Sequence, residues 1–123
     1  MQVGKTIYEQ MLTLGKIEVW SWGSHAYKTF EEGQLSELGN HLGGLMFQVD
    51  GQLFKGKVFV TLSPDDTYKI SFGTLRAGKL KLKNSIEGIY VENLVYAIDS
   101  EVETVPIRNI SFIINTTTPI IIG

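Results

Sequence analysis

Apolar and polar residues alternate along residues 45–83, as they do in antiparallel strands that bury one face of a sheet. The alternation is interrupted at Asp50-Gly51, which is a strong hairpin signal. It is interrupted again at residues 64–66 and 76–78, which contain residue types that favour turns. The three interruptions divide the stretch into four segments, so the pattern predicts a meander of four antiparallel strands.

Each turn fixes the register of one hairpin, and all three registers place the apolar residues on one face. The first turn is predicted to contain two residues, Asp50 and Gly51. One predicted pair from each hairpin is Phe47 with Phe54, Val60 with Ile70, and Phe72 with Leu82. The opposite, outer face then carries the lysines Lys55, Lys57, Lys69, Lys79, Lys81 and Lys83. The apolar face needs a cover, which helices usually provide.

Two segments outside the meander have helical patterns. Residues 5–14 combine a capping box at Thr6 and Glu9 with apolar residues at helical spacing, and Gly15 is a natural stop. Residues 91–102 carry an apolar stripe at intervals of three and four residues. We expect both helices to pack on the apolar face of the sheet.

Three further segments complete the predicted elements. Residues 19–22 are predicted to form a short strand that places Trp20 and Trp22 on the same face. The glycines of residues 31–44 oppose a stable helix and favour a loop with one or two helical turns. Residues 110–115 are predicted to form a fifth strand.

The chain of 123 residues is long enough for one domain with its own core. It has no cysteine, which excludes disulfides, thiolate chemistry and cysteine–zinc sites. We find neither an apolar run that could span a membrane nor an N-terminal signal pattern, and we expect a cytoplasmic protein. We predict a single α+β domain over residues 1–123: a curved antiparallel meander of four to five strands, with N- and C-terminal helices packed on one face.

The preferred binding candidates lie within eight residues of one another, and they are Trp20, Trp22, His25 and Tyr27. Two indoles, an imidazole and a phenol are suited to stacking on and hydrogen bonding with a protein or a ligand, although tryptophans also fill small cores. The isoleucines of residues 120–122 are the second candidate contact, either with the domain itself or with a second copy.

Charge is unevenly distributed along the chain. Residues 52–84 hold seven Lys or Arg against two Asp, although the formal net charge of the chain is −2. The six lysines of the predicted outer face would attract a polyanion such as nucleic acid. However, only Phe59 offers a ring for base stacking on that face, and lysines also protect sheets from edge-to-edge aggregation. Nucleic-acid binding is therefore the alternative function.

Candidate catalytic groups are few. His25 and His41 do not have a metal-ligand spacing. Asp65 and Asp66 lie where a turn favours aspartate, and no serine lies in a nucleophile elbow. We expect no metal and no cofactor, and an enzyme of unnamed reaction ranks third among the functions.

Short segments spread over residues 5–103 carry a resemblance to other proteins. They are Trp20-Ser21-Trp22-Gly23, Phe54-Lys55-Gly56-Lys57-Val58, Asp66-Thr67-Tyr68-Lys69-Ile70-Ser71-Phe72 and Ile89-Tyr90, with Leu94-Val95 and Ile98-Asp99. In these segments the chain resembles small uncharacterised proteins of gut bacteria and of their phages and mobile elements. The resemblance implies a short helix–sheet–helix domain, and it implies no activity and no site residues.

These observations together favour a non-catalytic binding or accessory module. We expect it to act through contacts with a protein partner, and a homodimer is one form of such contact. Nucleic acid is the partner in the alternative function, and no membrane contact is expected.

Overall fold

The computed structural model describes residues 2–103, which form one antiparallel sheet and two α-helices. The helices are α1 (Val3–Ser21) and α2 (Leu94–Val102), and the strands are β1 (His25–Glu31), β2 (Gly43–Asp50), β3 (Lys55–Leu62), β4 (Tyr68–Arg76) and β5 (Lys79–Ile89). The strands lie side by side in the order of the sequence. The predicted α+β meander of four to five strands, with an N-terminal and a C-terminal helix, is confirmed.

The four strands predicted within residues 45–83 are β2 to β5, and the fifth strand of the sheet is β1, which was not predicted. The short strand predicted at residues 19–22 is wrong, because α1 continues to Ser21 and Trp22 follows it in a turn. The strand predicted at residues 110–115 lies outside the described residues.

Gly15 kinks α1 and does not end it, which makes this helix longer than the predicted segment 5–14. Gly15 has φ −163° and ψ 66°, outside the helical range, yet the helix continues beyond it. A Cβ at Gly15 would lie 2.6 Å from Cγ1 of Val95, so the missing side chain allows α2 to approach closely. α1 therefore contacts both the sheet and α2.

The main core lies between the two helices and one face of the sheet. Ile7 and Met11 of α1 and Leu94 and Ile98 of α2 have no exposed surface. The buried strand residues of the same cluster are Leu45, Phe47, Val49, Val58, Val60, Tyr68, Ile70 and Phe72. Removal of this apolar surface from water is the main favourable term in folding.

A second, smaller core lies on the outer face of the sheet. Phe59 of β3 is fully buried there, in a cluster with Phe30 and Leu38. Leu38 belongs to the covering segment, residues 32–42, which contains a short 3-10 helix at Ser36–Leu38 and agrees with the predicted loop with a helical turn. The outer face is therefore partly covered, whereas the sequence predicted a solvated surface.

Two of the three hairpins keep their apolar residues on the predicted face, although the two-residue turn predicted at Asp50-Gly51 is wrong. The first hairpin has a four-residue loop, so Phe47 lies opposite Val58 and not opposite Phe54. The resulting shift is an even number of residues, so both strands keep their apolar residues on the predicted face. The second hairpin has the predicted register, with Val60 opposite Ile70.

The third hairpin turns at Ala77 and Gly78, and its register differs by one residue from the predicted one. Both turn residues have positive φ, 50° and 75°, as in a two-residue type I′ turn. Leu82 consequently lies opposite Gly73 and not opposite Phe72. The predicted three-residue turn is wrong, because Gly78 suits either turn length and the shorter turn forms.

This one-residue shift exchanges the two faces of the first half of β5. Leu80 and Leu82 pack on the outer cluster that contains Phe59. Lys81 lies opposite Thr74, on the side of the sheet that the helices cover. The alternating Lys and Leu residues of β5 thus point in the directions opposite to those predicted.

Candidate functional site

Trp22 belongs to the main core and not to a binding surface. Its side chain has no exposed area, and its ring stacks on Phe47 with a centroid separation of 6.3 Å. Its indole Nε1–H donates to Oδ1 of Asp99 at 2.9 Å. Trp22 therefore connects the end of α1 to α2. The alternative interpretation, that tryptophans fill a small core, is correct for this residue.

Trp20 lies in a different environment because it is still on α1. Its side chain is 64% exposed, and Ile17, one helical turn earlier, is 77% exposed. The Nζ of Lys16 lies 4.9 Å from the Trp20 ring centroid, in a cation–π contact. We call Ile17 and Trp20 the α1 stripe. The prediction that Trp20 and Trp22 share a face is wrong, because the segment is helical.

His25 and Tyr27 also occupy separate environments. His25 is exposed, and its Nδ1 lies 2.8 Å from the carbonyl oxygen of Gly23. Tyr27 is half-buried, with its ring centroid 4.8 Å from that of Tyr8, and its hydroxyl donates to Oγ of Ser24 at 2.5 Å. Burial raises the pKa of the Tyr27 phenol above its usual value, so the phenol stays neutral at ordinary pH.

Tyr27 lines a groove of about 350 Å³ between the start of α1 and β1. Tyr8 and Leu45 also line this groove, and Lys5 and Lys28 are the charged residues of its lining. The other three predicted binding residues do not line it. The structure therefore does not bring the four predicted residues into one site. The isoleucines of residues 120–122, the second predicted contact, lie outside the described residues.

The six lysines predicted to share the outer face are divided between the two faces of the sheet. Lys57 and Lys69 keep the predicted side, and the Nζ of Lys69 donates to the carbonyl of Leu38 at 3.2 Å. Lys79 and Lys81 lie on the helix side because of the register of the third hairpin. The single lysine surface on which the polyanion prediction depended does not form.

A β-bulge at Lys83 brings a further lysine to the helix side. Phe72 pairs with Asn84 while Gly73 pairs with Leu82, so Lys83 has no direct partner on β4. Its Nζ lies 5.6 Å from the ring centroid of Phe54. Bulges commonly redirect a side chain in this way beside functional sites.

Three of the six lysines converge on one depression, which we call the Phe54 cleft. It measures about 440 Å³ and lies between the β2–β3 loop and the β4–β5 hairpin. Its lining is Leu53, Phe54, Lys55, Gly73, Thr74, Lys81, Leu82 and Lys83. An adjoining depression of about 290 Å³ shares Leu53, Phe54 and Lys83, and extends to Phe72, Asn84 and Glu101. The cleft combines an aromatic floor with a basic rim.

The position of Phe54 depends on a neighbouring glycine. A Cβ at Gly56 would lie 2.8 Å from Cζ of Phe54, so the phenylalanine ring occupies the space that a side chain at position 56 would fill. The ring also packs edge-on against Phe72, with centroids 5.6 Å apart. The predicted two-residue turn placed Phe54 inside a strand, whereas in the structure Phe54 belongs to the four-residue loop between β2 and β3.

The cleft has an excess of positive charge. Within residues 2–103 the one salt bridge joins Lys55 to Asp50 at 3.5 Å. Lys81 and Lys83 therefore have no salt-bridge partner in that part of the chain. Glu101 is the acidic residue of the adjoining depression, and it accepts a hydrogen bond from the side-chain amide of Asn84 at 2.9 Å. Such an arrangement is suited to binding an anion.

Neither a metal cluster nor a spanning helix is found in the part of the chain that the structure describes. No three His, Asp or Glu side chains of residues 2–103 are grouped as metal ligands would be. No helix there combines the length and the apolar character needed to cross a membrane. Comparison with known proteins adds nothing to these observations, because no protein-family model, curated protein or solved structure matches the chain.

Proposed function

We propose that this domain is a non-catalytic cytoplasmic binding module that acts through protein contacts, and that a second copy of the chain is its partner. The supporting observation is the exposure of the α1 stripe. Trp20 and Ile17 remain in water although the main core is already filled by Trp22, Met11 and Ile7. The fold therefore does not need the two exposed side chains.

The residue types of the α1 stripe also favour a protein contact. Tryptophan is among the residues most often found at the energetic centre of interfaces. Two large apolar side chains one turn apart on a helix can enter a groove or pack against another helix. The contact between Lys16 and the Trp20 ring restrains the indole, so less side-chain entropy is lost on association.

Self-association is tested by size-exclusion chromatography with light scattering on the full chain, from about 10 μM to about 1 mM. The measured mass should rise above the protomer mass of 13.7 kDa as concentration increases. Trp20→Ala should weaken association by about tenfold or more, as expected for a central interface residue. A mass that stays at one protomer over the whole series would contradict the proposal.

The matched control is Tyr96→Ala on α2. Tyr96 is 74% exposed, similar to Trp20, but it belongs to another helix. Its replacement should leave the association constant unchanged. An equal effect of both substitutions would show that association does not depend on the α1 stripe.

Polyanion binding is the second candidate function. One observation favours it at the Phe54 cleft instead of on a shared lysine face. Lys55, Lys81 and Lys83 meet around Phe54, although the six lysines do not share one face. An enzyme remains third, and no described cluster of side chains supports a particular reaction.

A further inference from the structure

We propose that the Phe54 cleft binds a nucleotide unit, with its base on the Phe54 ring and its phosphate between Lys81 and Lys83. This chemistry is shared by free nucleotides and by single-stranded nucleic acid. The proposal goes beyond self-association through the α1 stripe, and it uses none of the same residues.

The basic rim supplies the first reason. Lys81 and Lys83 flank the cleft without a salt-bridge partner among residues 2–103, whereas Lys55 is already paired with Asp50. Two ammonium groups that have no salt-bridge partner among the described residues lie beside an apolar ring, and together they attract an anion. A phosphate offers several acceptor oxygens and can bind both lysines at once.

The aromatic floor supplies the second reason. Phe54 is half-buried and held from behind by Gly56 and Phe72, so its ring is fixed in position. In the structure the ring is contacted by the Nζ of Lys83 at 5.6 Å from its centroid. A ligand phosphate would draw this ammonium group away, and a planar base would then take its place on the ring. Stacking of a base on an aromatic side chain is a recurrent mode of nucleotide binding.

The size of the cleft is consistent with such a ligand. Its volume of about 440 Å³ lies within the usual range for small-molecule sites, and the adjoining depression of about 290 Å³ extends it past Phe54. That extension ends at Glu101, which would repel a second phosphate, and at Asn84, and both side chains can hydrogen-bond to a base or a sugar. The lysine end of the combined cleft and depression therefore favours the phosphate, and the Glu101 end favours the base or the sugar.

The test is fluorescence anisotropy of the full chain with a labelled oligothymidylate at low salt, followed by competition with adenosine monophosphate. Binding of the oligonucleotide alone assigns the cleft to single-stranded nucleic acid, and competition by the mononucleotide assigns it to free nucleotides. No binding of either probe, or equal competition by polyglutamate, would overturn the proposal. With one phosphate neutralised at the cleft, affinity should fall about 2.6-fold between 50 and 200 mM salt, from a slope of about −0.7 per phosphate.

Substitutions of the rim lysines distinguish binding at the Phe54 cleft from general electrostatic attraction to the protein. The double substitution Lys81→Gln and Lys83→Gln should weaken binding by at least about tenfold and flatten the salt dependence. Lys57→Gln and Lys79→Gln make the same change of charge outside the cleft, and together they should have little effect. Equal losses from the two pairs would contradict a localised site.

A variant of the floor tests the role of the ring. Phe54→Leu keeps an apolar side chain but removes the stacking surface, so nucleotide binding should weaken by about fivefold or more. Binding of inorganic phosphate should not change, because phosphate needs only the lysines. Thermal unfolding of each variant checks that the fold is intact, and the rim variants keep the test decisive if Phe54→Leu does not fold. Unchanged nucleotide affinity in folded Phe54→Leu would overturn the stacking arrangement.

Discussion

Trp22 joins two helices that are far apart in the sequence. Its indole N–H donates to Asp99 over a separation of 77 residues, and both side chains are buried. A hydrogen bond to a carboxylate is stronger than one between neutral groups, so its loss inside a protein lowers the stability of the fold more. One side chain thus helps to hold α2 against the end of α1.

We expect Trp22→Phe to lower the free energy of unfolding by about 2–3 kcal/mol. Phenylalanine keeps the stacking on Phe47 but loses the N–H donor and part of the buried ring. The measurement is urea unfolding followed by circular dichroism. Trp20→Phe is the matched control and should change stability by less than about 0.5 kcal/mol, as is usual for an exposed position. Equal losses from both substitutions would show that the bond to Asp99 contributes little.

His41 holds the covering segment, residues 32–42, over the outer face of the sheet. The backbone N–H of Gly43 donates to its Nδ1 at 2.9 Å, which leaves Nε2 as the protonated nitrogen. That nitrogen then donates to the carbonyl of Gln34 at 2.7 Å. The imidazole also packs edge-on against Phe30, with centroids 5.4 Å apart. His41 is thus a structural residue.

His41→Ala should destabilise the covering segment by about 2–3 kcal/mol, because a buried N–H loses its acceptor and the ring contact with Phe30 is lost. Native-state hydrogen exchange should show faster exchange of the Gly43 amide. His25→Ala, at the exposed histidine, is the control and should leave that amide unchanged. Unaltered protection of Gly43 in His41→Ala would mean that the covering segment is held by its leucines alone.

The elements show which parts of the fold the sequence could predict. Strands β2 to β5 and the helix near residues 91–102 follow from clear periodicity, and their existence was predicted. β1 was missed because its half-buried Tyr27 and buried Phe30 are three residues apart and do not follow the alternation of a strand. α1 was predicted too short because Gly15 usually ends a helix, whereas here its contact with Val95 stabilises a kink.

The candidate site could be predicted only in part. Its lysines were selected from the sequence, but their direction depended on the length of the third turn. Alternating Lys and Leu residues do not indicate which set is buried when both faces of a sheet are covered. The outer cluster around Phe59 determines which set is buried, because Leu80 and Leu82 pack against that cluster. Such long-range packing leaves no local signal in the sequence.

The molecule as a whole is closed by contacts between the end of α2 and the β2–β3 loop. The carbonyl of Val102 accepts a hydrogen bond from the N–H of Leu53, and Glu103 accepts one from the N–H of Gln52, both at 2.9 Å. Gly51 makes this approach possible, since a Cβ there would overlap the Val102 carbonyl oxygen. The glycine of the Asp50-Gly51 signal is thus needed for packing and not for a two-residue turn.

Gly51→Ala should lower the free energy of unfolding by about 1–3 kcal/mol, because the added methyl group forces α2 away from the loop. Thermal unfolding observed by near-UV and far-UV circular dichroism measures the effect. Gln52→Ala, which keeps its backbone N–H and its exposed position, is the control and should change stability by less than about 0.5 kcal/mol. A stable Gly51→Ala variant would show that the end of α2 can move without loss.

The order of strands along the sheet also has a consequence for how the chain folds. Every strand pairs with its neighbour in the sequence, so the sheet can assemble through short loop closures that each lose little chain entropy. The contact between Trp22 and Asp99 instead closes a loop of most of the domain. We therefore expect the hairpins to form before the rate-limiting barrier and α2 to dock after it, so that weakening the α2 contacts accelerates unfolding more than it slows folding.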